Sequence, residues 1–558
     1  LTRLRRVLII ALIFLLLIIL LSDPTFAQSV STELYETEED LKAGLDQGDL
    51  TYDEYLELLD LIRFKIGVDS EDTTRILFIP DVMSIEPFQP LKAKSRVLSP
   101  LNKTIPFIQS VSRKKPGLKG ELTWQTYQEI EENEKAESFA TLKFVDKKRF
   151  SFDLKVAQDE SKRLETQKRS LRLFKIWKST DVILGNFEKR AGLGLNLGYH
   201  PLFRYGLDDT LHINDSFLYP VRGRYNGLLL ESKFDFFHPG FVFSRNKFGY
   251  LEDELYALDL NFAHKRSSVG ILLTKAKLDN LSSESFFRDD CQSIYLNLNL
   301  RNFRLSSEYA LMWNNEKGFA LNLNTQKTPY RISAYFWWYS SQFVHPHGGG
   351  VSNADYETIS LLDDLDFSYR SRQKGERGFL FKSTYPLSPD LFLDFAFNQW
   401  RKNPDSDENL RLKLGGGYHL SENTLTQLHF LWSDDLYLFG TDYFNLTWDW
   451  VYSFQDVTYL RLEVHYKSKK LTSGIKEYGD IQLKLGKFKF FPFDFNIWLK
   501  YTDPDFSSPQ NSYWNLYFEE RLFFFESNAI SVKYLARFYQ DKEKVDVHAV
   551  RIRWEIKW

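Results

Sequence analysis

From about residue 118 onward the chain alternates apolar and polar side chains, one for one, through segment after segment. Near its end Val550, Ile552, Trp554, Ile556 and Trp558 share one parity, and Arg551, Arg553, Glu555 and Lys557 share the other. Leu460, Leu462, Val464 and Tyr466 oppose Arg461, Glu463 and His465 in the same way, and Phe493, Phe495, Ile497 and Leu499 oppose Asp494, Asn496, Trp498 and Lys500. Similar ladders run over 294–300, 391–397 and 444–450. Successive side chains of a strand point to opposite faces, so each segment has one face suited to lipid and one suited to water. The pattern predicts an all-β fold, a large transmembrane antiparallel β-barrel that is apolar outside and polar inside. The predicted pore lining includes Arg461, Glu463, His465, Asp494, Lys500, Arg551, Arg553, Glu555 and Lys557.

The turns supply a second test, since membrane barrels alternate short turns at one end with longer loops at the other. Short connections are expected near 146–147, 179–180, 239–240, 301–302, 455–456 and 527–528. Longer polar ones are expected at 159–168, 189–223, 279–290, 340–377, 467–478 and 502–512. Counted this way, the barrel has about 24 strands, within 20–26, an even number that returns both termini to the same side. Trp554, Ile556 and the final Trp558 resemble the terminal-strand signal read by the barrel assembly machinery, which would then be a partner, as would outer-membrane lipid. The expected address is the outer membrane of a Gram-negative-type bacterium.

The first 116 residues differ in character. Arg3, Arg5 and Arg6 precede an apolar run from Val7 to Leu21, with Thr25-Phe26-Ala27 behind it, which predicts a secretory signal peptide over 1–27. Residues 28–116 read as a periplasmic helical segment and a basic linker, and 117–558 as the barrel. One helix opens at Thr51 with Glu54 three residues on, a capping-box spacing. Residues 68–85 resemble half of a helix-hairpin-helix unit, a motif whose hairpin amides hold nucleic-acid phosphate. Here the hairpin reads Pro80-Asp81-Val82-Met83, without the glycines that allow a phosphate close and with an acid beside it. A role as plug, or as a dock for a periplasmic protein partner, is therefore expected rather than nucleic-acid binding.

A second resemblance covers more of the chain. Val182 to Phe187, containing Gly185 and Asn186, is followed by Ala191, Gly192, Leu193 and Gly194. This is similar to a motif of a poorly characterised family of helix-hairpin-helix-bearing outer-membrane proteins from the Bacteroidetes and related phyla, in which a strand ending Gly-Asn/Asp-Tyr leads into Phe-Gly-Gln-Gly-Leu. Ala191 and Leu193 depart from that pattern. The resemblance implies the architecture and no particular activity.

Composition changes the picture little. Formal charge is nearly balanced at −3, so neither a nucleic-acid surface nor an acidic tail is implied. The aromatic surplus of 16% fits girdles at the membrane interfaces, with Trp313, Tyr339, Trp432 and Tyr501 near strand ends. Cys291 is the sole cysteine, so no internal disulfide can form. His345 and His347 lie in a Gly-rich stretch near Asp355, read as a flexible outer loop; no third metal ligand, catalytic group or cofactor motif is assigned. A barrel of this width needs something folded inward, either the N-terminal segment or the stretch after Gly185, whose glycines at 192, 194 and 198 permit sharp bends. The reading is a porin-like transport barrel, a plugged or gated channel for polar solutes or an exported substrate. The alternatives are a non-conducting barrel anchoring a secretion or export assembly, and a DNA-uptake component.

Overall fold

The computed structural model describes residues 119–557, with breaks confined to connections between strands, the longest covering 199–224. The predicted signal peptide and helical segment lie outside the described residues, as does Trp558. Twenty-four strands hydrogen-bond into one antiparallel sheet. That sheet closes on itself, because β1 (Lys119–Glu129) pairs with β26 (Val547–Lys557), Glu121 opposite Lys557 and Glu129 opposite Ala549. Closure satisfies every strand edge, which a sheet in hydrocarbon requires. Two further strands, β14 (Glu357–Leu362) and β15 (Leu365–Tyr369), form a separate hairpin.

The connections alternate as expected. Those at the end where β1 begins and β26 finishes are two to five residues long, and those at the far end run from two to 37. The two longest, 37 residues each, are 188–224, between β5 (Thr180–Phe187) and β6 (Tyr225–Ser232), and 340–376, between β13 (Arg331–Tyr339) and β16 (Arg377–Pro386). Both leave the same end of the barrel.

Alternation sorts the faces. On β8 (Leu251–His264) Tyr256, Leu258 and Phe262 are exposed, whereas Asp253, Leu255, Ala257 and Asp259 are buried. On β9 (Ser267–Asn280) Val269, Ile271 and Leu273 face out and Leu272, Thr274 and Ala276 face in. On β22 (Gly474–Phe490) Ile481 and Leu483 are exposed while Gln482 and Lys484 are buried. An apolar belt continued from strand to strand far exceeds the patch a water-soluble surface carries, and hydrocarbon is the medium that suits it.

Four expectations about connections need correction. Pro239-Gly240 is no turn but lies within β7 (Phe237–Phe248), the turn being 233–236. Its proline is tolerated because pairing with β6 ends at Glu231–Gly240, so the missing N–H falls beyond that ladder. The polar stretch 467–478 is strand almost throughout, since β21 (Tyr459–Leu471) and β22 pair to within the two residues 472–473. Likewise 279–290 shortens to 281–285, because β9 and β10 (Phe286–Asn299) stay paired out to Asp279–Phe286, and 159–168 shortens to 159–163, because β3 (Phe150–Gln158) and β4 (Leu164–Ile176) stay paired out to Gln158–Leu164.

Candidate functional site

The inner wall has two unlike halves. On one side, β20 (Thr441–Ser453), β21, β22 and β23 (Phe493–Asp503) place charged residues in adjoining register: Asp449 opposite Glu463, His465 opposite Asp480, Gln482 opposite Lys500. Arg461 reaches Asp449 at 2.6 Å and Glu463 at 3.4 Å. His465 contacts Glu463 at 2.8 Å and the hydroxyl of Thr447 at 3.0 Å. Lys467 and Lys500 approach Asp480 at 3.8 and 3.4 Å. Four Lys and Arg side chains, Arg461, Lys467, Lys484 and Lys500, thus share this wall with Asp449, Glu463 and Asp480, Lys484 standing opposite Arg461.

On the other side the wall is recessed. Inward positions of β8, β9, β10, β11 (Phe303–Met312) and β12 (Lys317–Thr325) hold Ala257, Ala276, Ser293, Ala310, Gly318 and Ala320. Small side chains there leave space that two segments fill. The first begins at a pivot. Gly185 has φ +93°, and a Cβ there would lie 2.2 Å from the carbonyl oxygen of Arg169, so only glycine fits. Beside it Asn186 Oδ1 accepts the Arg169 N–H at 2.8 Å, replacing a main-chain acceptor as the chain leaves the sheet. Residues 188–198 then fold against the recess. Glu308 Oε2, on the inner face of β11, accepts the amides of Leu193 at 2.7 Å and Leu195 at 3.1 Å. Gly192 (φ +58°) and Gly194 (φ +82°) make that turn, and a Cβ on Gly192 would stand 2.7 Å from Glu308 Oε2. Lys189 pairs with Glu231 at 2.8 Å and Asp259 at 3.4 Å; burial opposes its charge, but the two carboxylates outweigh it and raise its pKa.

The second segment comes from the other 37-residue connection. Phe343 stacks on Tyr339 with ring centroids 5.6 Å apart and sits over Gly318. Trp337 Nε1 donates to Glu376 Oε1 at 2.8 Å. His345 and His347 are buried, not the parts of a flexible surface loop that the Gly-rich sequence suggests. His347 lies 3.1 Å from Asp253, and its amide donates to His345 Nδ1 at 3.2 Å. His345 Nε2 meets Thr274 Oγ1 at 3.3 Å, and that hydroxyl donates to Asn196 Oδ1 at 2.5 Å. The Gly198 amide donates to the His347 carbonyl at 2.8 Å, so the two segments also hold each other. Leu193, Leu195, Met312, Trp337, Tyr339, Phe343 and Trp400 form a shared apolar cluster inside the barrel. That corrects the expectation that Tyr339 belongs to an interfacial girdle: it points inward, 2% exposed, whereas Trp313 is 84% exposed at the rim.

The residues predicted to line the pore divide accordingly. Arg461, Glu463, His465 and Lys500 come together in the charged cluster, where His465 pairs with Glu463. Arg551, Arg553, Glu555 and Lys557 share the inner face of β26, with Arg551 and Glu555 buried and Ile552 and Trp554 exposed on the outer face. Ile556 shares that outer parity. Asp494 sits on β23 opposite Arg521, away from the cluster. Sequence reasoning missed Glu308, Asp253 and Thr274, the anchors of the inward segments. The signal available was the run of small residues at alternate positions of β8 to β12. Among the described residues no group of three or more His, Cys, Asp or Glu side chains could hold a metal ion.

No protein-family model matches the chain, and no curated protein matches its sequence. Solved barrels resemble it distantly. The siderophore receptor PirA from Pseudomonas aeruginosa is 11% identical over 79% of this chain and 81% of its own, with a TM-score of 0.40. The P pilus usher PapC translocation pore is 7% identical over 79% and 99%, TM-score 0.34. A porin of Rh. blastica is 10% identical over 49% and 92%, TM-score 0.27. Likenesses this remote say nothing of solute or partner.

Proposed function

We propose that the chain is an outer-membrane transport barrel, a channel for polar solutes narrowed from within by its own inward-folded segments. The observation that carries this reading is the docking of 188–198 and 340–348, both from the same end of the barrel, into a recess of the inner wall built from small residues. A barrel serving only as an anchor has no use for a recess cut to receive inward-folded loops. The outward apolar belt supports membrane insertion, and the apolar outer parity of β26 supports delivery by the barrel assembly machinery. The motif around Gly185, Asn186, Gly192 and Gly194 acts here as an inward pivot, and on it we group the chain with the helix-hairpin-helix-bearing family that it resembles.

Single-channel conductance of the purified protein in planar bilayers tests the reading. The full chain is expected to conduct in small or flickering steps, and a variant lacking 190–197 in larger and steadier ones. A barrel that stays silent in both forms would overturn the channel and favour an anchoring role.

A further inference from the structure

On the lipid-facing side of β8 to β11 the wall holds a groove of about 440 Å³, within the range of small-molecule sites. Register arranges its lining in two rows. Tyr256, Lys275, Asp290 and Trp313 stand side by side, since Tyr256 pairs with Lys275, Lys275 with Asp290, and the Trp313 amide donates to the Asp290 carbonyl at 2.9 Å. One step toward the short-turn end lie Leu258, Leu273, Gln292 and Leu311. The parity of both rows is outward, with Tyr256, Leu258, Leu273, Lys275, Gln292 and Trp313 exposed. The groove reaches the rim of the long-loop end, where Trp313 follows the last residue of β11.

Hydrocarbon suits the leucines of this groove and not Lys275, Asp290 or Gln292. A charged side chain on a lipid-facing wall destabilises a barrel by an amount that grows with depth. Asp290 adds an unmet need: its Oδ1 is buried with no hydrogen-bond partner among the described residues, and a buried acceptor left unpaired costs free energy. The next row toward the rim is matched within itself. Arg245 pairs with Glu252, Lys277 pairs with Asp279 at 2.5 Å, and Glu254 stands between Arg245 and Lys277 in register. Lys275, Asp290 and Gln292 are therefore polar groups set in an apolar and aromatic frame that faces the bilayer.

We propose that this groove binds a phosphorylated acyl glycolipid of the outward leaflet, with the chemistry of lipid A. The inference rests on the outer-membrane placement given above and not on conduction. An acyl chain lies along Leu258, Leu273 and Leu311, the Lys275 ammonium meets a phosphate, and Asp290 and the Gln292 amide accept from the N–H and hydroxyl groups of the sugar. The long-loop end, where the groove opens, faces the cell exterior in barrels of this type, which assigns the lipid to that leaflet. Tyr256 and Trp313 at the ends of the row suit the head-group level, where such rings settle.

The test is native mass spectrometry of the purified full chain in detergent, titrated with bisphosphorylated lipid A and, separately, with dioleoylphosphatidylethanolamine. Lys275→Glu and Leu273→Trp alter the groove. Lys470→Glu and Leu428→Trp make the same changes at exposed positions elsewhere on the barrel. Folding of each variant is checked by heat-modifiable migration. The full chain is expected to hold one lipid A about tenfold more tightly than phosphatidylethanolamine. Lys275→Glu should weaken that binding about tenfold and Leu273→Trp about fivefold, whereas Lys470→Glu and Leu428→Trp leave it unchanged. Equal retention by all variants, or phosphatidylethanolamine held as tightly as lipid A, overturns the proposal. A barrel recovered as a dimer that Leu273→Trp dissociates, and that retains no lipid A, would make the groove an interface between copies and overturn the lipid. If either groove variant fails to form a barrel, the other decides. A full chain that forms no heat-modifiable barrel overturns the membrane reading and this site with it, whereas a folded barrel that retains no lipid A overturns this site alone.

Discussion

Glu308 is the residue on which the first inward segment turns. It offers one buried carboxylate oxygen to two main-chain amides that the turn at Gly192 and Gly194 leaves without strand partners. Hydrogen bonds to a charged acceptor contribute about 1.5–3 kcal/mol each, so Glu308→Ala is expected to weaken docking by about 3 kcal/mol or more. The measurement is hydrogen exchange at Leu193 and Leu195, which should speed up while the strands stay protected. Gly192→Ala should act similarly, because its Cβ would collide with the same carboxylate. His345 adds a dependence on pH. Burial pushes its pKa well below the ordinary 6.5, nearby His347 pushes the same way, and Asp253 opposes them. Its Nδ1 accepts the His347 amide, so the docked ring is neutral. Undocked, the ring gains a proton below about pH 6.5 that the docked ring refuses. Docking is therefore at full strength above that pH and weakens as pH falls through it, by up to about 1.4 kcal/mol per unit. Conductance is expected to rise between pH 7 and pH 5, and His345→Gln to flatten that rise.

The strands show why so much of the barrel was legible and which parts were not. Where one face meets lipid and the other water, as at 460–466 or 550–557, alternation identifies the strand and its orientation at once. It fails where both faces are apolar. In β13 Phe336 and Trp338 point outward while Trp337 and Tyr339 fill the interior, and the sequence Phe-Trp-Trp-Tyr looks the same either way. It fails again where strands run past the apolar belt, as in the lysine-rich ends of β21 and β22, since polar residues on both faces read as loop. The pore-lining charges were legible as a parity, but the grouping of Arg461, Glu463, His465 and Lys500 around Asp449 and Asp480 on β20–β23 needed the register. The outer parity is directly testable. Ile481→Lys, in the middle of β22 and 51% exposed, is expected to destabilise the barrel by about 2–4 kcal/mol in a bilayer folding titration. Lys484→Ile, on the inner face of the same strand, meets no lipid and should leave insertion intact.

At the scale of the whole molecule the question is how much of the lumen the docked segments close. Twenty-four strands about 4.8 Å apart, tilted by about 40°, make a circular ring roughly 48 Å across between backbones. Wall side chains and one docked layer about 10 Å deep leave roughly 25 Å of that span. Segments 188–198 and 340–348 lie against one wall, so they narrow such a ring without sealing it. The N-terminal segment has the length to do more, because β1 starts at the short-turn end and about 30 extended residues span roughly 100 Å, about twice the width of the ring. Removing Ser29 to Pro116 is therefore expected to raise single-channel conductance several-fold more than removing 190–197, and removing both to exceed the sum of the two steps if they act as barriers in series. The opposite order would put the main restriction in the docked segments and leave the N-terminal segment as a dock for a partner.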